Sequence, residues 1–367
     1  MKLVIFGLSV SSSWGNGHAT LWRGLLRALA GAGHTVVFFE RDVVYYANHR
    51  DMKSLDGVEL VLYPEWDEIH ASASEHVRGA DVAMVTSYCP DAQAASALIC
   101  ESTAFSVFYD LDTPVTLAGV ASGMPVPYLP GGGLADFDLV LSYAGGLALA
   151  QLQERLGART VAPLYGHADP TQHRPVAADA RYRADLSYLG TYAPDRQAGV
   201  DQLFIEPARR RAQRRFVLGG SNYPAGFPAQ DNVTLMPHVS PPDHPAFYCS
   251  SRATLSVTRA AMASLGFCPS GRLFEAAACG VPVVTDDWTG LPHFYTPGDE
   301  IIVATRAEDV IAAIELPDAT LSRIGRAARE RTLDEHSSAR RAREMLDLFE
   351  LSSLSRRSSP APLLRAG

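Results

Sequence analysis

Several large protein classes are excluded by what this sequence lacks. Nowhere in its 367 residues is there an apolar run of about 18, the length needed to cross a membrane as a helix. The opening "MKLVIFGLSV" has neither the apolar length nor the small-residue cleavage site of a secretion signal, and predicts a first buried strand instead. A basic excess is also missing. The 32 Lys and Arg stand against 40 Asp and Glu, a net charge of -8, which argues against a nucleic-acid or anionic-membrane surface. Only five cysteines occur (Cys89, Cys100, Cys249, Cys268, Cys279), with no Cys-x-x-Cys pair. An odd, scattered set fits neither a closed disulfide framework nor a zinc site, and predicts a reduced, cytoplasmic protein. The dinucleotide fingerprint G-x-G-x-x-G is incomplete, because Gly15-Asn16-Gly17 is followed by Thr20 at the third glycine position.

What is present is the composition of a globular protein, 47% hydrophobic and 20% charged, on a chain long enough for two domains. "KLVIFGLS" is a continuous apolar run, "VSSSWGNGHA" a small-residue turn, "TLWRGLLRALAGAG" has helical spacing and "HTVVFFE" is a second apolar run. This is a β-α-β unit with parallel strands. The runs "GVELVLYP", "DVAMVTSY", "AFSVFYDLD", "FDLVLSY" and "ARTVAPLY" extend the same sheet. After a Pro- and His-rich linker, "GHADPTQHRPVAADARYRA", a second series follows: "DLSYLGTY", "RRFVLGGS", "VTLMPHV", "ATLSVTR", "VPVVTDD" and "EIIVA". The expected architecture is α/β, two doubly wound Rossmann-like domains facing a central cleft, with a C-terminal helical segment. The expected boundaries are 1–168, 169–351 including closing helices, and a mobile tail over 352–367.

Open α/β sheets bind ligands beyond the carboxyl ends of their strands, so the cleft is the place to look. On the first-domain side Gly15, Asn16 and Gly17 permit close backbone approach to a ligand at a helix start, with His18 at its mouth. The loop serves either as such an acceptor-side surface, with His18 as a general base, or as a plain tight turn that His18 caps. Asp112, in "DLD", is either a catalytic carboxylate or the polar end of a strand. On the second-domain side, "PSGRLFEAAACGVP" places Ser270, Gly271 and Arg272 at the start of a helix whose free N–H groups and dipole make an anion seat. Glu275, one turn further in, is suited to accept hydrogen bonds from both hydroxyls of a vicinal diol such as ribose. Arg196 and Arg259 are further cations at carboxyl ends of strands, suited to a diphosphate.

The segment "SGRLFEAAACGVPVVTDDWTGLPHFYTPGDEI", together with "DLSYLGTYAPDRQAGVDQLF", "RRFVLGGSNYP", "HPAFYCSSRATLSVTRAAM" and "YGHADPTQHRP", resembles the group 1 glycosyltransferases of GT-B architecture, and within them the CgeB-like (spore maturation protein) branch. The resemblance covers most of the chain after about Phe105 and implies a glycosyltransferase using a nucleotide-diphosphate sugar and a small-molecule or glycan acceptor. A helix N-terminus with two or three Arg is suited to the leaving diphosphate, so no metal is expected; no Asp-x-Asp set stands in the second domain to hold one, and no other cofactor is expected. The resemblance also implies that Glu275 holds the nucleotide ribose and that Gly290 and Leu291, beside Asp286 and Asp287, approach the sugar. The sequence departs from the family pattern twice. The acidic residue expected eight positions before Glu275 is Phe267, and the basic pair expected on the diphosphate maps onto Thr191 and Arg196. Two other readings stand beside the transferase: a nucleotide-sugar 2-epimerase of similar fold, and a non-catalytic coat or assembly protein that retains the fold.

Overall fold

The computed structural model describes residues 1–227 and 230–358. The first sheet is built from β1 (Lys2–Gly7), β2 (Thr35–Arg41), β3 (Val58–Tyr63), β4 (Val82–Thr86), β5 (Phe105–Asp110), β6 (Leu139–Ser142) and β7 (Val161–Pro163). The second is built from β8 (Ala184–Leu189), β9 (Phe216–Gly219), β10 (Val233–Met236), β11 (Ser251–Ser256), β12 (Val283–Thr285) and β13 (Ile302–Val303). The strand orders are β3-β2-β1-β4-β5-β6-β7 and β10-β9-β8-β11-β12-β13, with every strand pair parallel. Both are doubly wound: the chain starts in the middle, builds outward one way, and returns to build the other.

The burial explains why the strands read as unbroken apolar runs. Successive side chains of a strand point to opposite faces, and helices cover both faces of each sheet. Leu3 and Ile5 therefore enter one core with Leu25, Met84 and Val107, while Val4 and Phe6 enter the other with Val37, Val85 and Phe108. The second sheet is divided in the same way, Val217 and Val283 lying on one face and Leu218 and Val284 on the other.

The long helix Ser338–Ser358 departs from the expected domain division. It follows the second sheet in sequence but packs on the first. Ala342, Met345 and Phe349 join the core cluster of Leu25 and Phe105, and Phe349 is 1% exposed with its ring 6.2 Å from that of Phe105. Their spacing of three and four residues puts all three on one helix face. The first residues of that helix grip the linker between the domains. Ser338 Oγ lies 2.9 Å from His167 Nδ1, Arg341 donates to the Gly166 carbonyl at 3.1 Å, and Arg27 of the first domain pairs with Asp169. The tail expected from residue 352 is helical through Ser358; the remainder of it, 359–367, lies outside the described residues.

Emptying a buried aromatic site costs about 3–5 kcal/mol. Phe349→Ala is therefore expected to destabilise the first domain by about that much in chemical denaturation, although the residue lies near the other end of the chain. A loss below about 1 kcal/mol would show that the helix is not part of that core.

Candidate active site

The carboxyl ends of the two sheets face one cavity of about 620 Å³. Ser13, Gly15, Asn16, Gly17, His18, Leu111, Asp112 and Tyr143 line it from the first domain; Gly190, Thr191, Arg196, Val239, His244, Tyr248, Arg259, Ser270, Gly271, Arg272 and Glu275 line it from the second.

The second-domain wall is a cluster of positive charge. Arg196, on the helix Pro194–Val200, and Arg272, on the helix Gly271–Ala278, both lie over the ring of Tyr188, at 5.8 and 5.2 Å from its centroid. Neither forms an ion pair with a carboxylate among the described residues. Arg196 donates to the Thr191 carbonyl, and Arg272 to Ser270 Oγ at 3.4 Å, with its Nε left buried and without a partner. Burial first, and then the neighbouring Arg272, hold the Arg196 guanidinium below its usual pKa. Two cations held together with no carboxylate in ion-pair contact form a site that an anion stabilises. Gly190 leaves room for this arrangement, since a Cβ there would stand 2.9 Å from the Arg272 guanidinium.

Ser270 occupies the N-cap position of the helix Gly271–Ala278, but its side chain makes no capping bond. Its hydroxyl turns to Arg272, and the first N–H groups of the helix have no side-chain acceptor. Arg259 differs from the other two cations. Its Nε lies 3.0 Å from Asp195 Oδ2, and its guanidinium reaches across the cleft to within 3.6 Å of Asp112 in the first domain, so its charge is already matched.

Glu275 is a partly buried carboxylate among aromatic and imidazole groups. Tyr248 donates to Oε2 at 3.2 Å, His244 Nδ1 lies 3.9 Å from the same oxygen, and His173 Nε2 lies 3.9 Å from Oε1. Burial pushes its pKa up, but His173, His244, Arg272 and the Tyr248 hydroxyl outweigh it and hold the carboxyl below its ordinary value. Glu275 therefore stands ionised, as hydrogen-bond acceptor chemistry requires. Neither histidine stood out in the sequence. His173 lies in the Pro-rich linker and is 1% exposed, and a buried ring in such a segment has no local signature.

Four residues that the resemblance placed near the sugar lie apart from this cavity. Asp286 accepts from the Thr258 N–H at 2.9 Å and from its hydroxyl at 3.0 Å, which spends it on joining two strand ends. Asp287 is exposed and Leu291 is fully buried. Gly290, with φ of 98°, lies against Phe267, whose ring stands 2.7 Å from where a Cβ on Gly290 would be. Phe267 itself is left-handed, with φ of 46°, and its carbonyl accepts from the Gly145 N–H of the first domain at 2.9 Å. Where the family pattern has a carboxylate, this chain has a wedge between domains.

On the first-domain side, Asn16 caps the helix Gly17–Gly31, accepting from the His18 N–H at 3.1 Å. This frees the His18 side chain from the capping role that its position allowed. Burial lowers the His18 pKa below 6.5, and the nearby Asp112 charge opposes this. Asp112 accepts from the Tyr88 hydroxyl at 2.8 Å, and Tyr88 holds a left-handed φ of 64° to make the contact. His18 Nδ1, Asp112 Oδ1 and Asp110 Oδ2 are buried without partners. Asp110 itself is forced up to about 6 by burial. Of these three, His18 and Asp112 line the cavity and Asp110 lies behind it, fully buried.

Residues 196–347 match a family of proteins described as glycosyl transferase-like. By structure the chain is similar to a sucrose-phosphate synthase from Thermosynechococcus elongatus, at TM-score 0.70 and 15% identity over 97% of this chain and 100% of that one. It is similar to HepE of Anabaena, solved with UDP and glucose, at TM-score 0.65 and 12% identity over 96% and 100%. An alpha-glucosyltransferase bound to UDP and mismatched DNA gives TM-score 0.67 and 13% identity over 95% and 99%. The fold is GT-B. Among curated proteins none matches this chain in sequence. Nothing in these likenesses confirms the CgeB-like branch. Among the described residues of this GT-B chain no helix is long and apolar enough to cross a membrane.

Hydrogen bonds to charged groups contribute about 1.5–3 kcal/mol each. If a nucleoside diphosphate occupies this wall of the cavity, Arg272→Ala is expected to weaken its binding by roughly 10- to 100-fold, as is Arg196→Ala, measured by calorimetry at fixed salt. Arg259→Ala is expected to cost less, because its charge is already shared with Asp112 and Asp195. Equal losses in all three would mean that the matched and unmatched cations do the same work.

Proposed function

We propose that the protein is a metal-independent glycosyltransferase that moves a sugar from a nucleotide-diphosphate sugar to an acceptor hydroxyl. The observation that carries this reading is the unpaired Arg196–Arg272 cluster beside a helix N-terminus and the ionised Glu275, all within one cleft of a GT-B fold. The diphosphate belongs at the two guanidiniums and the first N–H groups of the helix Gly271–Ala278, and the ribose diol at Glu275. As the glycosidic bond breaks, the leaving diphosphate gains negative charge, and preoriented cations in a partly enclosed site stabilise that charge more than water does. This is the part a divalent ion plays in other donor sites, and here Arg side chains take it.

The acceptor hydroxyl belongs on the opposite wall, against His18 and Asp112. A neutral His18 takes the proton as the new bond forms, if the anomeric centre inverts; with retention His18 only positions the substrate. The 2-epimerase reading gains no support, because Phe267 stands where a carboxylate would be needed beside the anomeric carbon. An epimerase would also consume its nucleotide sugar with no acceptor present.

The deciding experiment is a thermal-shift screen of nucleotides and nucleotide sugars, beginning with UDP and UDP-sugars. A ligand at 100 times its dissociation constant stabilises by about 2.7 kcal/mol. No shift from any nucleoside diphosphate would overturn the reading.

Two kinetic outcomes follow. A general base contributes about 100- to 10,000-fold, so His18→Ala is expected to lower turnover by that factor while leaving donor affinity nearly intact. The base works when deprotonated, and burial holds its pKa below 6.5. The rate is therefore expected to rise with pH through a value below 6.5 and to be level at pH 7, and Asp112→Asn is expected to move that limb further towards acid. A limb centred above 6.5 would point to another group.

Transfer is also expected to continue undiminished in excess EDTA. Activity that vanishes in chelator and returns with magnesium or manganese would contradict the arginine-based account of the leaving group.

A further inference from the structure

Behind the ribose position of the cleft, three segments distant in sequence bring His173, His244 and Glu275 together, with one ligand atom from each lying within 4.8 Å of the others. His173 comes from the interdomain linker, His244 from the helix His244–Cys249, and Glu275 from the helix Gly271–Ala278. The hydrogen bonding around them is incomplete in a particular way. His244 Nε2 lies 3.2 Å from the Val239 carbonyl. A carbonyl only accepts, so Nε2 carries the hydrogen, and in the neutral ring Nδ1 carries a lone pair. That Nδ1 has no hydrogen-bond partner and stands 3.9 Å from Glu275 Oε2. His173 is 1% exposed, neither of its ring nitrogens has a partner, and Nε2 is 3.9 Å from Oε1 of the same carboxylate. In a neutral His244 the Nδ1 lone pair faces the carboxylate with no hydrogen between them, a repulsion that a cation relieves, and His173, with neither nitrogen bonded, is free to turn a lone pair to the same place.

We propose that His173, His244 and Glu275 form a binding site for a divalent transition-metal ion of the zinc class. Two imidazoles and one carboxylate suit zinc and its neighbours and are poor ligands for magnesium or calcium, which prefer all-oxygen shells. Ligand atoms around a tetrahedral ion with bonds of about 2.0–2.1 Å lie roughly 3.4 Å apart, so the two 3.9 Å gaps, which run to different oxygens of Glu275, and the spread of up to 4.8 Å among the three ligand atoms must close by about 0.5 to 1.4 Å when an ion binds. The Val239 carbonyl supplies the outer bond that metal-ligating histidines make through their other nitrogen. His244 and Glu275 line the cavity while His173 is buried behind them, so the fourth coordination position opens into the cleft. The consequence for function rests on the donor-site reading above: an ion on Glu275 removes the acceptor that a ribose diol would use, and so opposes donor binding without taking part in transfer.

The test uses the full chain, stripped with chelator and free of nucleotide, so that its result does not depend on the donor reading. Cobalt(II) is expected to bind at one equivalent with the intense visible absorption of a tetrahedral nitrogen and oxygen site, zinc to displace it, and magnesium to leave it unchanged. His173→Ala and His244→Ala are each expected to weaken binding at least tenfold while the circular dichroism and melting temperature of the metal-free protein stay close to those of the parent. Should either fail to fold, Glu275→Gln, which keeps the shape and removes the charge, carries the same expectation. Cys249→Ser is expected to bind cobalt normally, which separates this site from the nearby thiol. No cobalt band and no zinc-dependent rise in melting temperature in the parent protein would overturn the site, as would an unchanged band in the His173 and His244 variants. In a second arm, zinc is expected to weaken UDP binding. Equal UDP affinity with and without zinc would overturn the opposition between ion and ribose, and the absence of any UDP binding would overturn the donor reading and not the metal site.

Discussion

Helix Ser338–Ser358 begins beside the second sheet and buries Ala342, Met345 and Phe349 in the core of the first. Its opening turn also holds the linker, through Ser338 on His167 and Arg341 on the Gly166 carbonyl. With Arg27 gripping Asp169 from the first domain, the chain crosses between domains twice at one place. Two doubly wound sheets joined by a single flexible linker have no reason to present their carboxyl ends to each other. Joined by a linker and a helix that is part of the opposite core, they are held in that orientation, and the cleft is the result.

Within the cleft the charges are unequal, and the inequality organises the chemistry. Arg259 is matched by Asp195 and Asp112, and the second of these pairs reaches from one domain to the other. Arg196 and Arg272 are unmatched and share the face of Tyr188. An exposed pair of like charges would be solvated at little cost, but these are partly buried, and their mutual repulsion persists until an anion arrives. The first-domain wall has the opposite character, with His18 and Asp112 carrying unpartnered polar atoms. The two walls therefore call for different substrates.

The absence of lysine from this site bears on the departures from the family pattern. The whole chain has lysine only at Lys2 and Lys53, both in the first domain, so no lysine is available to the second. Thr191 carries no charge, and the second cation beside Arg196 is Arg272, which comes from a different helix and lies over the same Tyr188 ring. The carboxylate missing at Phe267 is not replaced. Phe267 instead packs on Gly290 and hydrogen-bonds Gly145, a structural task between domains that no local pattern announces.

The strands were determined by the sequence alone: each of the thirteen overlaps one of the apolar runs read from it, to within two residues at its ends, and the two parallel doubly wound sheets follow from their alternation with helices. The reason is that a parallel strand covered on both faces must be apolar at nearly every position, a signal carried entirely by neighbouring residues. The helix start that brings Ser270, Gly271, Arg272 and Glu275 to the cavity was legible for a similar reason, since its sequence is a local feature. What only the tertiary structure decided is everything that depends on distant partners. It assigned the last helix to the first domain's core, matched Arg259 while leaving Arg196 and Arg272 free, spent Asp286 on Thr258, and brought His173 and His244 to Glu275. Side chains far apart in sequence meet through packing, and packing is a property of the whole fold rather than of any window of residues.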